Sequence, residues 1–162
     1  MSVAIAVTVE SDIWDARLPG AEALVEDAAR AALDAAPPAI DPAELSIVLA
    51  DDALVRTLNG TYRGKKAPTN VLSFRQDPIV LPGIAAPLGD VILAFETIAG
   101  EATAQGKALN DHVAHLVVHG VLHIVGFDHE TEAEAEAMED LERRILHGMG
   151  VADPYRRDGT LQ

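Results

Sequence analysis

Cysteine is absent from the 162-residue chain. That excludes disulfide bridges, thiolate nucleophiles and cysteine-based zinc fingers, so any metal has to be held by His, Asp or Glu. Aromatic residues supply only 4% of a chain that is 49% apolar, which predicts an aliphatic core of Ala, Val, Leu and Ile. No apolar run approaches the ~20 residues needed to span a bilayer. Met1 to Ala6 lacks the basic start and long apolar stretch of a signal peptide. A soluble, cytoplasmic chain with no membrane partner is expected. Positive charge is scarce as well: 12 Lys and Arg stand against 26 Asp and Glu, a formal net charge of −14. Such a balance argues against a general nucleic-acid binder.

The charges are unevenly placed. From Ala53 to Gln76 there is no acid, while Arg56, Arg63, Lys65, Lys66 and Arg75 all fall there, five of the twelve basic residues. Glu130 to Glu142 is the opposite extreme, with seven acids and no base. A basic strip on an acidic protein can meet a polyanion locally, although a solvated basic loop has the same composition. The acidic run reads most simply as a solvated helix face.

Periodicity predicts strands at Val3–Glu10, Leu45–Ala50, Asn70–Phe74 and Leu88–Ala94, each rich in branched residues. Helical spacing predicts Ala21–Ala36, a short helix from Asp51 or Asp52 to Leu58, then Glu96–Gln105, Leu109–Val125 and Thr131–His147. Asn59-Gly60 is expected to break the second helix and open a basic loop from Thr61 to Pro68. Residues 1–162 then form one α+β domain, a small four-stranded mixed sheet packed against about five helices, with residues 151–162 a frayed tail.

The chemistry concentrates at His119, His123 and His129. Four residues advance about 400° along a helix and rise ~6 Å, so His119 and His123 share a face. Gly126 supplies the stop that lets His129 fold back towards them. A bare pair of histidines one turn apart is often just two ordinary core or surface residues. The glycine stop and the third histidine shift the reading to a single zinc ion at the end of a central helix. Three His with no Cys suit a catalytic rather than a structural zinc, because catalytic sites keep one position open for water. That water's pKa falls to about 7, ready to attack a carbonyl or phosphoryl group. The spacing is also that of the metzincin peptidases, whose signature puts a Glu base after the first histidine. Gly120 stands there instead.

His119 to His129 resembles the H-G-x-L-H-L-x-G-Y-D-H signature of the YbeY family of bacterial metal-dependent endoribonucleases. Leu58 to Phe74 is similar to that family's L-N-x-x-Y-R-x-x-D-x-P-T-D-V-L-S-F block, and Leu88-Gly89-Asp90-Val91-Ile92 to its L-G-D-I-x-I strand. The resemblance covers Ile47 to about Leu146. It implies zinc on His119, His123 and His129, with Arg63 as the catalytic cation. An Arg can hold a phosphate bidentately and neutralise charge that builds in the transition state. It further implies a single-strand-specific endoribonuclease acting on ribosomal RNA precursors, with a ribosomal protein or ribosome-associated GTPase as protein partner. Lys65, Lys66, Arg75 and His115 are the further candidates for RNA contact. The alternatives are a metzincin-like zinc peptidase and a non-catalytic ribosome assembly factor with a structural zinc. The chain departs from the family pattern at Phe127, where Tyr is usual, and at Lys66 and Asn70, where Asp is common. His112 and His147 read as structural or exposed, Asp128 as a loop or capping residue, and Asp90 as a turn or ion-pair residue.

Overall fold

Branched aliphatic residues build the sheet, because their side chains pack well on a pleated surface. The computed structural model describes residues 3–63, 69–76, 81–128 and 130–155, with the backbone alone for residues 61–63. Its strands are β1 (Val3–Val9), β2 (Ala43–Ala50), β3 (Val71–Arg75) and β4 (Ala86–Ala94). They lie in the order β1-β2-β4-β3. β1 and β4 run parallel to β2, while β3 runs antiparallel to β4 along the sheet edge. The helices are α1 (Ile13–Arg17), α2 (Ala21–Ala35), α3 (Asp52–Arg63), α4 (Phe95–Gln105), α5 (Leu109–Ile124) and α6 (Glu132–Gly148).

The pleat divides the core. Leu45, Ile47, Leu49, Val91 and Leu93 face the main cluster with α2, α5 and α6, whereas Ala50, Leu72, Ile92 and Ala94 face a smaller one with Val55 of α3. α5 is therefore enclosed between the sheet and other helices, which its almost wholly apolar sequence requires. Every residue from His112 to Ile124 is buried except His119 and His123.

The α+β class and the four-stranded mixed sheet agree with the sequence reading, but among the described residues six helices stand where about five are expected. The added one, α1, seats Trp14, which has no exposed surface, packs edge-to-face on Phe95 and donates its indole N–H to the Ala50 carbonyl at 2.8 Å. α3 also continues through Asn59-Gly60 to Arg63, because Leu54, Val55 and Leu58 hold it on the sheet and Asn59 is itself buried. Packing overrides a local breaker there. α6 is capped by Thr131, in a capping box with Glu134, and not by Asp128. Val151 to Tyr155, expected to fray, lies against α5 and α6.

Candidate metal centre and cleft

α5 ends in a Schellman turn. The Phe127 N–H bonds the Leu122 carbonyl at 2.9 Å and the Gly126 N–H bonds that of His123 at 3.1 Å, with Gly126 at φ +113°. Phe127 then packs, partly buried, against the main core and lines the cleft. The turn returns the chain along the face of α5 that carries His119 and His123, whose rings meet edge-to-face with centroids 4.8 Å apart. They open into a cleft of about 880 Å³, also lined by Asn70, Ser73, Arg75 and Tyr155.

Behind the histidines sits Glu142 of α6, with no exposed surface. Its Oε2 accepts from His119 Nδ1 at 2.7 Å, and its Oε1 accepts from His115 Nε2 at 2.8 Å and from the Tyr155 hydroxyl. Burial alone would raise this carboxyl, but the three hydrogen bonds outweigh it and hold the group down at about 2. Burial, and then the carboxylate itself, pushes the Tyr155 phenol up. An ionised carboxylate only accepts, so the nitrogens facing it carry the hydrogens. His119 thereby carries a hydrogen on Nδ1, and in its neutral form the lone pair lies on Nε2, the arrangement in which an imidazole offers Nε2 to a metal. The pair also lies at the C-terminal end of α5, where the helix dipole favours a cation. Neutral imidazoles without thiolates at a solvent-facing helix end fit zinc.

The remaining candidates are placed unequally. His129, Lys65 and Lys66 lie outside the described residues, and for Arg63 the backbone alone is described, as the last residue of α3. Among the described residues no group of three metal-donor side chains is gathered. Arg75 is exposed at the end of β3, on the cleft rim: a methyl group added at Gly126 would lie 3.9 Å from both of its terminal nitrogens. His115 lines the cleft, with its Nε2 bonded to Glu142 and its Nδ1 buried without a partner among the described residues. His112 bonds Glu101 of α4 at 2.9 Å, and Glu101 also accepts from the Asn70 amide at 3.0 Å. Burial keeps the His112 pKa below its usual value despite that carboxylate. Asp90 accepts from the Gln76 amide at 3.2 Å, and Asp128 lines the cleft.

Gly120 explains the missing peptidase base. A Cβ there would lie 2.9 Å from Val91 Cγ1 and 3.1 Å from Ser73 Oγ, so this position faces the sheet at close approach and has no room for a glutamate.

Sequence reasoning missed Glu142 and Tyr155. The signal for Glu142 was present: it stands four residues after Met138 and three before Ile145, on the buried stripe of α6. An acid on an apolar stripe is buried and therefore needs partners.

Comparison with known proteins adds the following. A family model described as Endoribonuclease YbeY matches residues 9–150. A protein named Endoribonuclease YbeY from Paramagnetospirillum magneticum is 51% identical over 159 residues, covering 96% of this chain and 97% of its own. A protein of the same name from Azorhizobium caulinodans is 52% identical over 155 residues, covering 93% and 95%. The solution structure of TM1509 from Thermotoga maritima superimposes with a TM-score of 0.55 at 20% identity, over 94% of this chain and 99% of that one, which supports the fold.

Proposed function

Since the chain belongs to the Endoribonuclease YbeY family, we propose that it is a zinc-dependent endoribonuclease that cuts single-stranded RNA, with ribosomal RNA precursors as substrate. The observation that carries this reading is the break in the burial of α5. From His112 to Ile124 an otherwise buried helix leaves two histidines half-exposed, and does so at the cleft that Arg75 borders.

His119, His123 and His129 would hold the ion, His119 through Nε2. When bound, zinc supplies Lewis-acid chemistry suited to a phosphodiester. The chain's own cations do the rest. Arg75 at the rim and Arg63 at the end of α3 take the phosphate, an Arg being able to bond two of its oxygens at once. Lys65 and Lys66 extend the basic strip along the RNA. The cleft is open and partly polar, as an extended single strand requires. A net charge of −14 repels RNA elsewhere on the surface. A ribosomal protein or ribosome-associated GTPase would accordingly bring the enzyme to its substrate. The peptidase alternative is disfavoured by Gly120, whose closeness to β3 and β4 leaves no space for the base.

The test is cleavage of a defined single-stranded RNA and its duplex by protein of known zinc content. His123→Ala should abolish both zinc and cleavage, and Arg63→Glu should abolish cleavage with zinc retained. Full activity in His123→Ala overturns the proposal. A nuclease-free preparation that holds zinc yet never cuts RNA turns it towards the assembly factor.

A further inference from the structure

α6 ends as α5 does. The Val151 N–H bonds the Leu146 carbonyl at 2.8 Å and the Gly150 N–H bonds that of His147 at 3.0 Å, with Gly150 at φ +80°. This second Schellman turn sends Val151 to Tyr155 back across the molecule. Four contacts order the segment. Lys107 Nζ donates to the Pro154 carbonyl at 3.0 Å. Asp153 Oδ1 accepts from Arg143 Nε at 3.3 Å and from the Tyr155 N–H at 2.8 Å. The Arg143 guanidinium lies 5.1 Å from the Tyr155 ring centroid, within cation–π range.

The result is a tyrosine brought from beyond the last helix to a carboxylate with no exposed surface. Tyr155 donates its hydroxyl to Glu142 Oε1, its ring meets that of His115 edge-to-face at 5.4 Å, and its oxygen lies 3.3 Å from His115 Nε2. Glu142 thus has one oxygen saturated by His115 and Tyr155, which leaves the other to His119 Nδ1. A carboxylate anchored from two sides holds the imidazole in one tautomer and one orientation.

We propose that Glu142 and Tyr155 are positioning residues of the metal centre. Glu142 fixes His119 as the Nδ1–H tautomer, Tyr155 anchors Glu142, and metal affinity therefore depends on the segment that follows α6. The proposal rests on the metal-binding part of the reading above and not on RNA cleavage. Outer partners of metal-bound histidines are worth 10–100-fold in metal affinity. A Gln at position 142 can both donate and accept, so it no longer dictates which nitrogen of His119 carries the hydrogen. Loss of the tyrosine hydroxyl leaves the carboxylate with two of its three donors.

The experiment is a zinc competition titration against a chromophoric chelator, on metal-free protein shown to be folded by circular dichroism. Glu142→Gln should bind zinc about 10–100-fold more weakly than wild type. Tyr155→Phe should lose several-fold, and the exposed control Glu136→Gln should lose nothing. A folded Glu142→Gln protein with wild-type zinc affinity overturns the proposal. Nitrogen-15 NMR of the wild-type imidazoles stands in if that variant does not fold. His119 protonated at Nδ1 in the metal-free protein supports the proposal, and His119 protonated at Nε2 overturns it. Zinc affinities that fall as expected in a protein that cuts no RNA would sink the nuclease reading and leave this one standing.

Discussion

At Glu142 and His112 two different causes give stability a pH dependence of one sign. The Glu142 carboxyl is held at about 2 against an ordinary 4.5, so its contribution is complete above pH 4.5 and is lost as pH falls towards 2. That is about 3 kcal/mol for the metal-free protein. Burial depresses His112 below 6.5, so the neutral ring stabilises above that value and acid removes the benefit as pH falls beneath it. Unfolding temperatures of metal-free protein should therefore decline from pH 6.5 downwards and more steeply below 4.5. Glu142→Gln should flatten only the second limb, and an unchanged second limb in that variant contradicts the assignment. Gly120 offers a separate test. Ala there gains ~1 kcal/mol of helix propensity, but its Cβ would press on the stiff Val91 side chain at 2.9 Å. Overpacking of that kind costs ~1–3 kcal/mol, so Gly120→Ala should lower the unfolding temperature by a few degrees, and a higher value would show that the contact yields easily. The absence of a base at Gly120 was legible in the sequence. Its cause was not, since a single sequence does not say that the helix touches β3 and β4 there.

Elements were legible where their pattern was local. The four strands and the main helices follow from periodicity, and Gly126 marked the end of α5 because only a residue at ease with positive φ makes that turn. α3 was misread because Asn59-Gly60 is a local signal and the sheet beneath α3 is not. The join between β3, α4 and α5 was equally hidden: Glu101 accepts from both Asn70 and His112, residues 31 and 11 positions away. It gives meaning to the Asn where the family often has Asp. Asn70→Asp removes a donor to a carboxylate, a bond of the charge-assisted class worth ~1.5–3 kcal/mol, and puts a like charge in its place. The variant should be less stable by about that amount at pH 7 and should recover part of the loss near pH 4. Equal stability at pH 7 in a thermal or urea titration would count against the join.

For the whole molecule, charge sets the terms of any encounter with RNA. Single-strand binding follows salt with a slope of ~0.7 per phosphate neutralised. The acid-free strip holds five basic residues. The logarithm of the binding constant should thus fall with that of salt concentration by no more than about 3.5, and Arg75→Ala should reduce the slope by ~0.7. A far steeper slope would place the RNA on some other surface. The strip could be read directly from the sequence, as could the histidines. The support behind them could not, because Glu142 and Tyr155 reach His119 only through the packing of α6 and the turn at Gly150.

The turn at Gly150 also sets a time order. Chains are synthesised from the N-terminus at ~5–20 residues per second. His119 and His123 are therefore made before the Glu142 that hydrogen-bonds one of them, and Tyr155 comes later still. A nascent chain that has passed His123 but not yet reached Glu142 therefore carries the candidate metal ligands without the carboxylate clasp.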